Sequence, residues 1–412
     1  MIARSSGITR TVVRADDLLA WLAATRAPRL DVVVDPAVRG QEAVEGLLAA
    51  VVRSVPEAVV LSQAATEGAD ELSARMRADA AVVAVGGGSV LDSAKLAVRL
   101  GAGDCGPHLS VPHRSAMVLL PPLPRAARAL AAVPTTIGTG SEVSKAAVHT
   151  GVGRRRLVVG EGLQPDLALH DPALTSGLPA PLVAEGVVEI LARLLGPCLG
   201  DPRPRTVEDA VARALLGVLA PLVAETAVLG AALPPGARAD LLRIGALSHQ
   251  DALVSGRSPY AVKWWALTNE ICACTGARKV PVLVAVLPVV LARMQVGDPR
   301  WGSARRLEEL WAFVAEATGV ALPADPVEGV RALLGRLGLH GDPAVRHLDV
   351  DAVARRVHRA WGAGLPMFAG FAERELADLV LAVTREAGAP APTGSDVDRR
   401  PAVVTHGGTE GR

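Results

Sequence analysis

From Thr9 to Asp171, short β-branched or alanine-rich apolar runs alternate with stretches whose apolar positions recur at helical spacing; beyond Asp171 only the helical spacing persists. The runs Val32-Val33-Val34 and Ala81-Val82-Val83-Ala84-Val85 contain no polar position, which suits strands buried on both faces of a parallel sheet. Helices are predicted between them over 18–25, 42–55, 69–77 and 91–100. In the second half they are predicted over 181–195, 206–229, 237–255, 304–318, 326–337 and 373–387, with Thr206 and Asp209 spaced as a capping box. The pattern predicts an α/β domain with a parallel sheet over residues 1–175 and an all-α domain over 176–387. Residues 388–412 are rich in Pro, Gly and Ser, have little to bury, and are expected to form a disordered tail.

Composition narrows the classes. With 412 residues, 50% hydrophobic and 21% charged, the chain can build two ordinary globular cores. The apolar run 280–292 contains Pro281 and Pro288 and falls short of the about 20 residues a bilayer requires. The N-terminus lacks the apolar core and cleavage site of a signal peptide, so a cytoplasmic protein without membrane partners is expected. A net charge of +1 without a basic stripe argues against nucleic acid. Four cysteines cannot form a disulfide framework, and Cys272 and Cys274 are expected to be small buried residues.

The chemistry concentrates where the run ending at Val85 meets Gly86, Gly87 and Gly88 and turns helical at Ser89. Three glycines at a strand-to-helix turn can take positive φ and let a pyrophosphate approach free amides at the positive helix end. A second loop, 133–144, supplies the hydroxyls of Thr135, Thr136 and Ser141, and Asp35 closes the run 32–34. An acidic residue there accepts from an adenosine ribose and repels a 2′-phosphate, which favours NAD over NADP.

The segments GGGSVLDSAK (86–95), PTTIGTGSEVS (134–144) and PDLALHDPALTSGLP (165–179) resemble, in order and spacing, the iron-containing (group III) alcohol dehydrogenase family, with dehydroquinate synthases as more distant relatives. The resemblance implies a Rossmann-like N-terminal domain, a helical C-terminal domain, NAD(P) in the cleft between them, and commonly a homodimer. It adds Asp92 to the cofactor contacts and places a phosphate-contacting cation at Arg155 or Arg156, within a basic run that by itself suits a solvated turn.

The second half departs from that family. Relatives hold a divalent metal with an Asp and a His one helical turn apart and two later histidines. Alignment puts Glu189 and Arg193 on the first pair, Trp265 and Lys279 on the second, and Asn269 on a histidine near the substrate. Indole, guanidinium and ammonium groups offer a cation no lone pair, so no catalytic metal is expected. Two cations then surround one carboxylate. Either they form a structural pin between domains, or Lys279 or Arg193 takes over the metal's electrostatic role. Lys263 is a further candidate cation, and Trp265 with Trp264 and Tyr260 a candidate substrate wall.

The resemblance thus implies a metal-independent NAD-dependent dehydrogenase or reductase acting on an alcohol or carbonyl in a small molecule or a peptide. Divergent relatives oxidise a C-terminal threonine of ribosomal peptides of the daptide type with loss of CO₂. A catalytically silent NAD-binding subunit and a dehydroquinate-synthase-like cyclase remain alternatives.

Overall fold

The computed structural model describes residues 9–111, 113–122, 128–151 and 154–389. Among these described residues nine strands form in chain order: β1 (Arg10–Val12), β2 (Arg29–Val34), β3 (Glu57–Ser62), β4 (Ala80–Gly86), β5 (Met117–Leu119), β6 (Leu130–Pro134), β7 (Ala146–Gly151), β8 (Arg154–Val159) and β9 (Leu167–Leu169). Six of them make one parallel sheet in the order β1-β9-β6-β4-β2-β3. Every residue of β4 is buried, as its unbroken apolar run predicts.

Alternation along β2 and β4 divides the core. Val32, Val34, Val83 and Val85 pack with Leu18, Leu22, Leu47 and Val51 on one face, while Val33, Val82 and Ala84 pack with Leu72, Leu91, Ala94 and Val98 on the other. Each such side chain, fully buried, contributes about 1.5–3 kcal/mol. The connections from β2 and from β4 leave in opposite directions, toward β3 and toward β6 respectively. A crevice therefore opens at the carboxyl ends of β2 and β4, where Asp35 and Gly86 lie, and this is where open α/β sheets bind ligands.

A second sheet, β5-β8-β7, pairs β5 with β8 in parallel and β7 with β8 antiparallel. The basic run expected to be a solvated turn lies in β8, with Arg155 opposite Thr150 and Arg156 opposite His149. Strand pairing overrides the local charge pattern.

The rest is helical, and one large core binds it together. The helices Ala180–Gly200, Thr206–Leu229, Ala304–Ala317, Pro326–Arg336 and Glu373–Gly388 lie within a few residues of the predicted segments. Three corrections carry physical reasons. The predicted helix 237–255 is split into Pro235–Leu247 and Asp251–Val254. Thr206 is the first helical residue, not the cap: Asp209 Oδ2 accepts from the Arg205 amide at 3.1 Å, while its Oδ1 accepts from Arg257 and Arg306. Cys272 is buried as expected but Cys274 is exposed, both within the helix Lys263–Thr275.

Three long helices, Lys279–Gln295, Val350–Trp361 and Lys263–Thr275, had no counterpart among the predicted segments. The first accommodates Pro288 in its interior and buries most of the 280–292 run, which is therefore core. Gly388 ends the last helix, and the expected tail beyond Ala389 lies outside the described residues. The segment Thr206–Ala232 is long and apolar enough to cross a membrane by length and composition; here it packs through Ala212, Leu216, Leu219 and Val223 and leaves Val218 and Val228 exposed.

Candidate functional site

At the end of β4, Gly86 and Gly87 lead into the helix Gly88–Gly101, whose first amides have no capping side chain. The three glycines do not adopt positive φ, contrary to the sequence expectation. They are glycine because of close approach: a Cβ on Gly86 would lie 3.0 Å from Asp35 Cβ, one on Gly87 3.1 Å from Thr136 Cγ2, and one on Gly88 3.0 Å from Thr139 Cβ. The turn is thus enclosed by Asp35 and the hydroxyl loop. Asp35 accepts from the Ala37 amide at 2.9 Å and is half-buried, and Ser89 is exposed on the first helical turn.

The Oγ1 atoms of Thr135, Thr136 and Thr139 are buried without a hydrogen-bond partner. Buried hydroxyls are normally satisfied, so three orphans beside free helix N-terminal amides fit an anionic ligand that supplies acceptors. These residues fit a dinucleotide: the amides of Gly88 and Ser89 and the threonine hydroxyls toward its phosphates, Asp35 toward its ribose.

Asp92 and Ser141 turn toward each other instead. Ser141 Oγ donates to Asp92 Oδ1, and Asp92 Oδ2 accepts from the Val148 amide at 2.9 Å. The fully buried Lys95 donates to the carbonyls of Ser141, Ser144 and Ala146 at 3.0, 3.2 and 2.6 Å. Burial pushes the Lys95 ammonium below its ordinary pKa, opposed by the nearby Asp92 carboxylate. Together these bonds fix the hydroxyl loop on the helix. Sequence reasoning quoted Lys95 within the glycine motif without giving it this part.

The same loop abuts the helical domain. Gly138, at φ +92°, lies so close to Gly186 that a Cβ on either would overlap the other segment's backbone. One turn along from Gly186, the helix Ala180–Gly200 presents Glu189, 5% exposed. Its Oε1 accepts from Arg193 Nη2 and from Lys279 Nζ, each at 2.6 Å. Arg193 Nη1 also donates to the Gly138 carbonyl at 2.7 Å, joining the carboxylate to the hydroxyl loop. Trp265 covers the cations, its ring centre 4.5 Å from Lys279 Nζ and 5.8 Å from Arg193 Cζ. The four positions that alignment places at the metal site therefore meet at one point.

Burial opposes ionisation of Glu189, but the charges of Lys279 and Arg193 outweigh it and hold the carboxyl below its ordinary range. Lys279 begins its helix, where the dipole disfavours a cation, so Glu189 also offsets that cost. Arg278 repeats the arrangement, gripping Glu185 through two bonds of 2.7 and 3.1 Å. This donor set does not fit a divalent cation, because the groups facing Glu189 carry protons where ligands need lone pairs. Among the described residues, no three His, Cys, Asp or Glu side chains come together.

Asn269 is half-buried one turn from Trp265 on the same helix face. Lys263 is not drawn to the centre, since its Nζ donates to the Tyr260 carbonyl at 3.5 Å. Arg156 donates to the Leu109 carbonyl at 2.6 Å and lines a cleft that none of the glycine-turn or hydroxyl-loop residues shares. His249 is a neighbour that sequence reasoning missed. Burial first, then the charge on Arg193, pushes its pKa well down, and the neutral ring donates from Nε2 to the Thr139 carbonyl at 2.9 Å. Only Gly140 admits it, because a Cβ there would overlap the ring. No local spacing signals such a contact.

The chain thus joins a parallel-sheet α/β domain, whose glycine turn and hydroxyl loop fit a dinucleotide, to a helical region that carries a cationic centre against that loop. Residues 12–172 match the family model for iron-containing alcohol dehydrogenases. The chain is 37% identical over 116 residues to the probable alcohol dehydrogenase EutG of Escherichia coli, a match covering 28% of each chain. It is 35% identical over 177 residues to the phosphonoacetaldehyde reductase of Streptomyces viridochromogenes, covering 41% of this chain and 44% of that one. The chain thus matches well under two thirds of the length of these curated relatives. The NADH-dependent butanol dehydrogenase A of Thermotoga maritima superposes with a TM-score of 0.75 at 16% identity, over 92% of this chain and 98% of that one. The family match is thus confined to residues 12–172, while the chain as a whole has the fold of the butanol dehydrogenase.

Proposed function

We propose that this protein is an NAD-dependent dehydrogenase or reductase that moves a hydride between the nicotinamide and an alcohol or carbonyl, with the Lys279–Glu189–Arg193 centre in place of a metal. The observation that carries the reading is the pair of cations on one buried carboxylate, bonded directly to the loop whose unpartnered hydroxyls face the glycine turn. Bound NAD supplies the hydride acceptor. The Lys279 ammonium, one-third exposed while Glu189 is almost wholly covered, is the cation open to a substrate oxygen and stabilises the negative charge that develops there. Arg193 and Glu189 hold it in place. Trp265 covers the pair and limits water, and Asn269 offers an amide on the same face.

The names of the similar proteins, an alcohol dehydrogenase, a phosphonoacetaldehyde reductase and a butanol dehydrogenase, support hydride transfer over a silent subunit, and the orphaned hydroxyls support a bound cofactor in either case. Peptide-modifying relatives add a C-terminal threonine to the alcohols to be tried.

Calorimetry on the purified chain tests the cofactor half. NAD is expected to bind at least tenfold tighter than NADP, and Asp35→Ser to narrow that gap mainly by improving NADP binding. Equal affinities in the parent protein would remove Asp35 from the ribose site.

A further inference from the structure

Thr139 stands in the hydroxyl loop between Gly138 at φ +92° and Gly140 at φ +59°. Two left-handed residues let the chain turn sharply on either side of Thr139, so local backbone preference does not fix where its side chain points. That side chain lies at the start of the helix Gly88–Gly101, whose first amides are free: a Cβ on Gly88 would meet Thr139 Cβ and Cγ2 at 3.0 Å. Thr139 Oγ1 is one of the buried hydroxyls without a partner. A dinucleotide phosphate at that helix end would supply the missing acceptor.

The grip on Thr139 comes from the helical region. Arg193 Nη1 donates to the Gly138 carbonyl at 2.7 Å and His249 Nε2 to the Thr139 carbonyl at 2.9 Å, so two consecutive peptide groups of the loop are held from outside it. The approach is close. A Cβ on Gly140 would lie 2.1 Å from His249 Cδ2 and 2.3 Å from its Nε2, so the ring as well as the positive φ demands glycine there. Burial, then the charges of Arg193, Lys95 and Lys279, disfavour an imidazolium. The neutral ring has a single N–H, and the bond to Thr139 places it on Nε2.

We propose that His249 is a positioning residue for the cofactor: by holding the Thr139 carbonyl, it aims the Thr139 hydroxyl at a phosphate of the bound dinucleotide. This rests on the dinucleotide reading of the glycine turn. Cofactor affinity then depends on a side chain 110 positions from the loop, in the region that carries the Lys279 centre.

Calorimetric NAD titrations of the parent chain, Thr139→Val, His249→Leu and the double variant form a cycle that tests this. Thr139→Val keeps the shape and removes the hydroxyl, and is expected to weaken NAD by about tenfold, the worth of a hydrogen bond to a charged oxygen. His249→Leu should cost about the same, and the double variant no more than either single change, because both remove one contact. His249→Gln, whose amide can still donate to the Thr139 carbonyl, should bind NAD nearly as well as the parent. Circular dichroism confirms folding, and should His249→Leu not fold, His249→Asn, whose amide is too short to reach, takes its place in the cycle. Losses that multiply in the double variant make His249 a structural residue only and overturn the proposal. NAD affinity unmoved by Thr139→Val or by loss of the His249 donor overturns it too. A parent chain that does not bind NAD defeats the cofactor reading and this proposal together, whereas NAD binding with multiplied losses defeats this proposal alone.

Discussion

Lys279→Met is expected to lower the rate of NADH formation with a turned-over alcohol by about 10²–10³, the cost of removing one preorganised group from a developing oxyanion. The fall should appear in kcat, because the bound alcohol is neutral and the ammonium acts on the negative charge its oxygen carries once the hydroxyl proton has passed to solvent and before the hydride leaves. NAD affinity should hold, since the cofactor loop is fixed by Lys95, Asp92 and Arg193 and not by Lys279. Folding should survive as well. Glu189 keeps its bond to Arg193, and the methionine stem fills the space over Trp265. Steady-state kinetics beside a denaturant melt checks this. A variant with unchanged kcat and a large loss of stability would make the centre a structural pin only.

Glu189→Gln acts on the opposite property. Removing the carboxylate leaves Lys279 and Arg193 facing each other under Trp265, and an uncompensated buried charge destabilises by about 3–5 kcal/mol. The effect depends on pH in a definite direction. The folded-state pKa of Glu189 is depressed below its ordinary value of 4.5, so its stabilisation is fully present above that value and is lost as pH falls through the folded pKa. Parent and variant melts should therefore differ most near neutrality and converge in acid. Replacing all three charges together, Glu189→Leu with Arg193→Met and Lys279→Met, should recover much of the stability while activity stays absent. Urea melts at pH 7 and pH 4 measure both trends. A gap that widens in acid would contradict the charge assignment.

How far the sequence reaches depends on whether the relevant contacts are local. The sheet was legible because the runs 32–34 and 81–85 are apolar at every position and lead into Asp35 and Gly86, a signal contained within a few residues. Glu189 and Arg193 were legible as an i,i+4 pair, and the family resemblance brought Lys279 and Trp265 to them. The helix Val350–Trp361 was legible in principle, since Val353, Val357, Ala360 and Trp361 recur at helical spacing, and it was missed. The helix Lys279–Gln295 escaped because its internal prolines read as breaks and its all-round apolar surface has no strong period. Lys95 and His249 escaped for a different reason. Their meaning comes from partners 46 and 110 positions away in sequence, Ser141 and Thr139, which only the folded chain brings together. The three glycines show the converse. Their identity was read correctly and their cause was not, since close approach by Asp35, Thr136 and Thr139 excludes a side chain where backbone conformation does not.

The central claim is that an ammonium–carboxylate–guanidinium centre serves hydride transfer without a metal. The direct measurement is NADH formation at 340 nm by chelator-treated enzyme with a panel of alcohols, with elemental analysis on the same sample. The account predicts turnover that chelation does not diminish, added Fe²⁺ or Zn²⁺ does not raise, and Lys279→Met lowers by about 10²–10³, with metal far below one atom per chain. Activity that disappears with the metal and returns with stoichiometric Fe²⁺ or Zn²⁺ would contradict it.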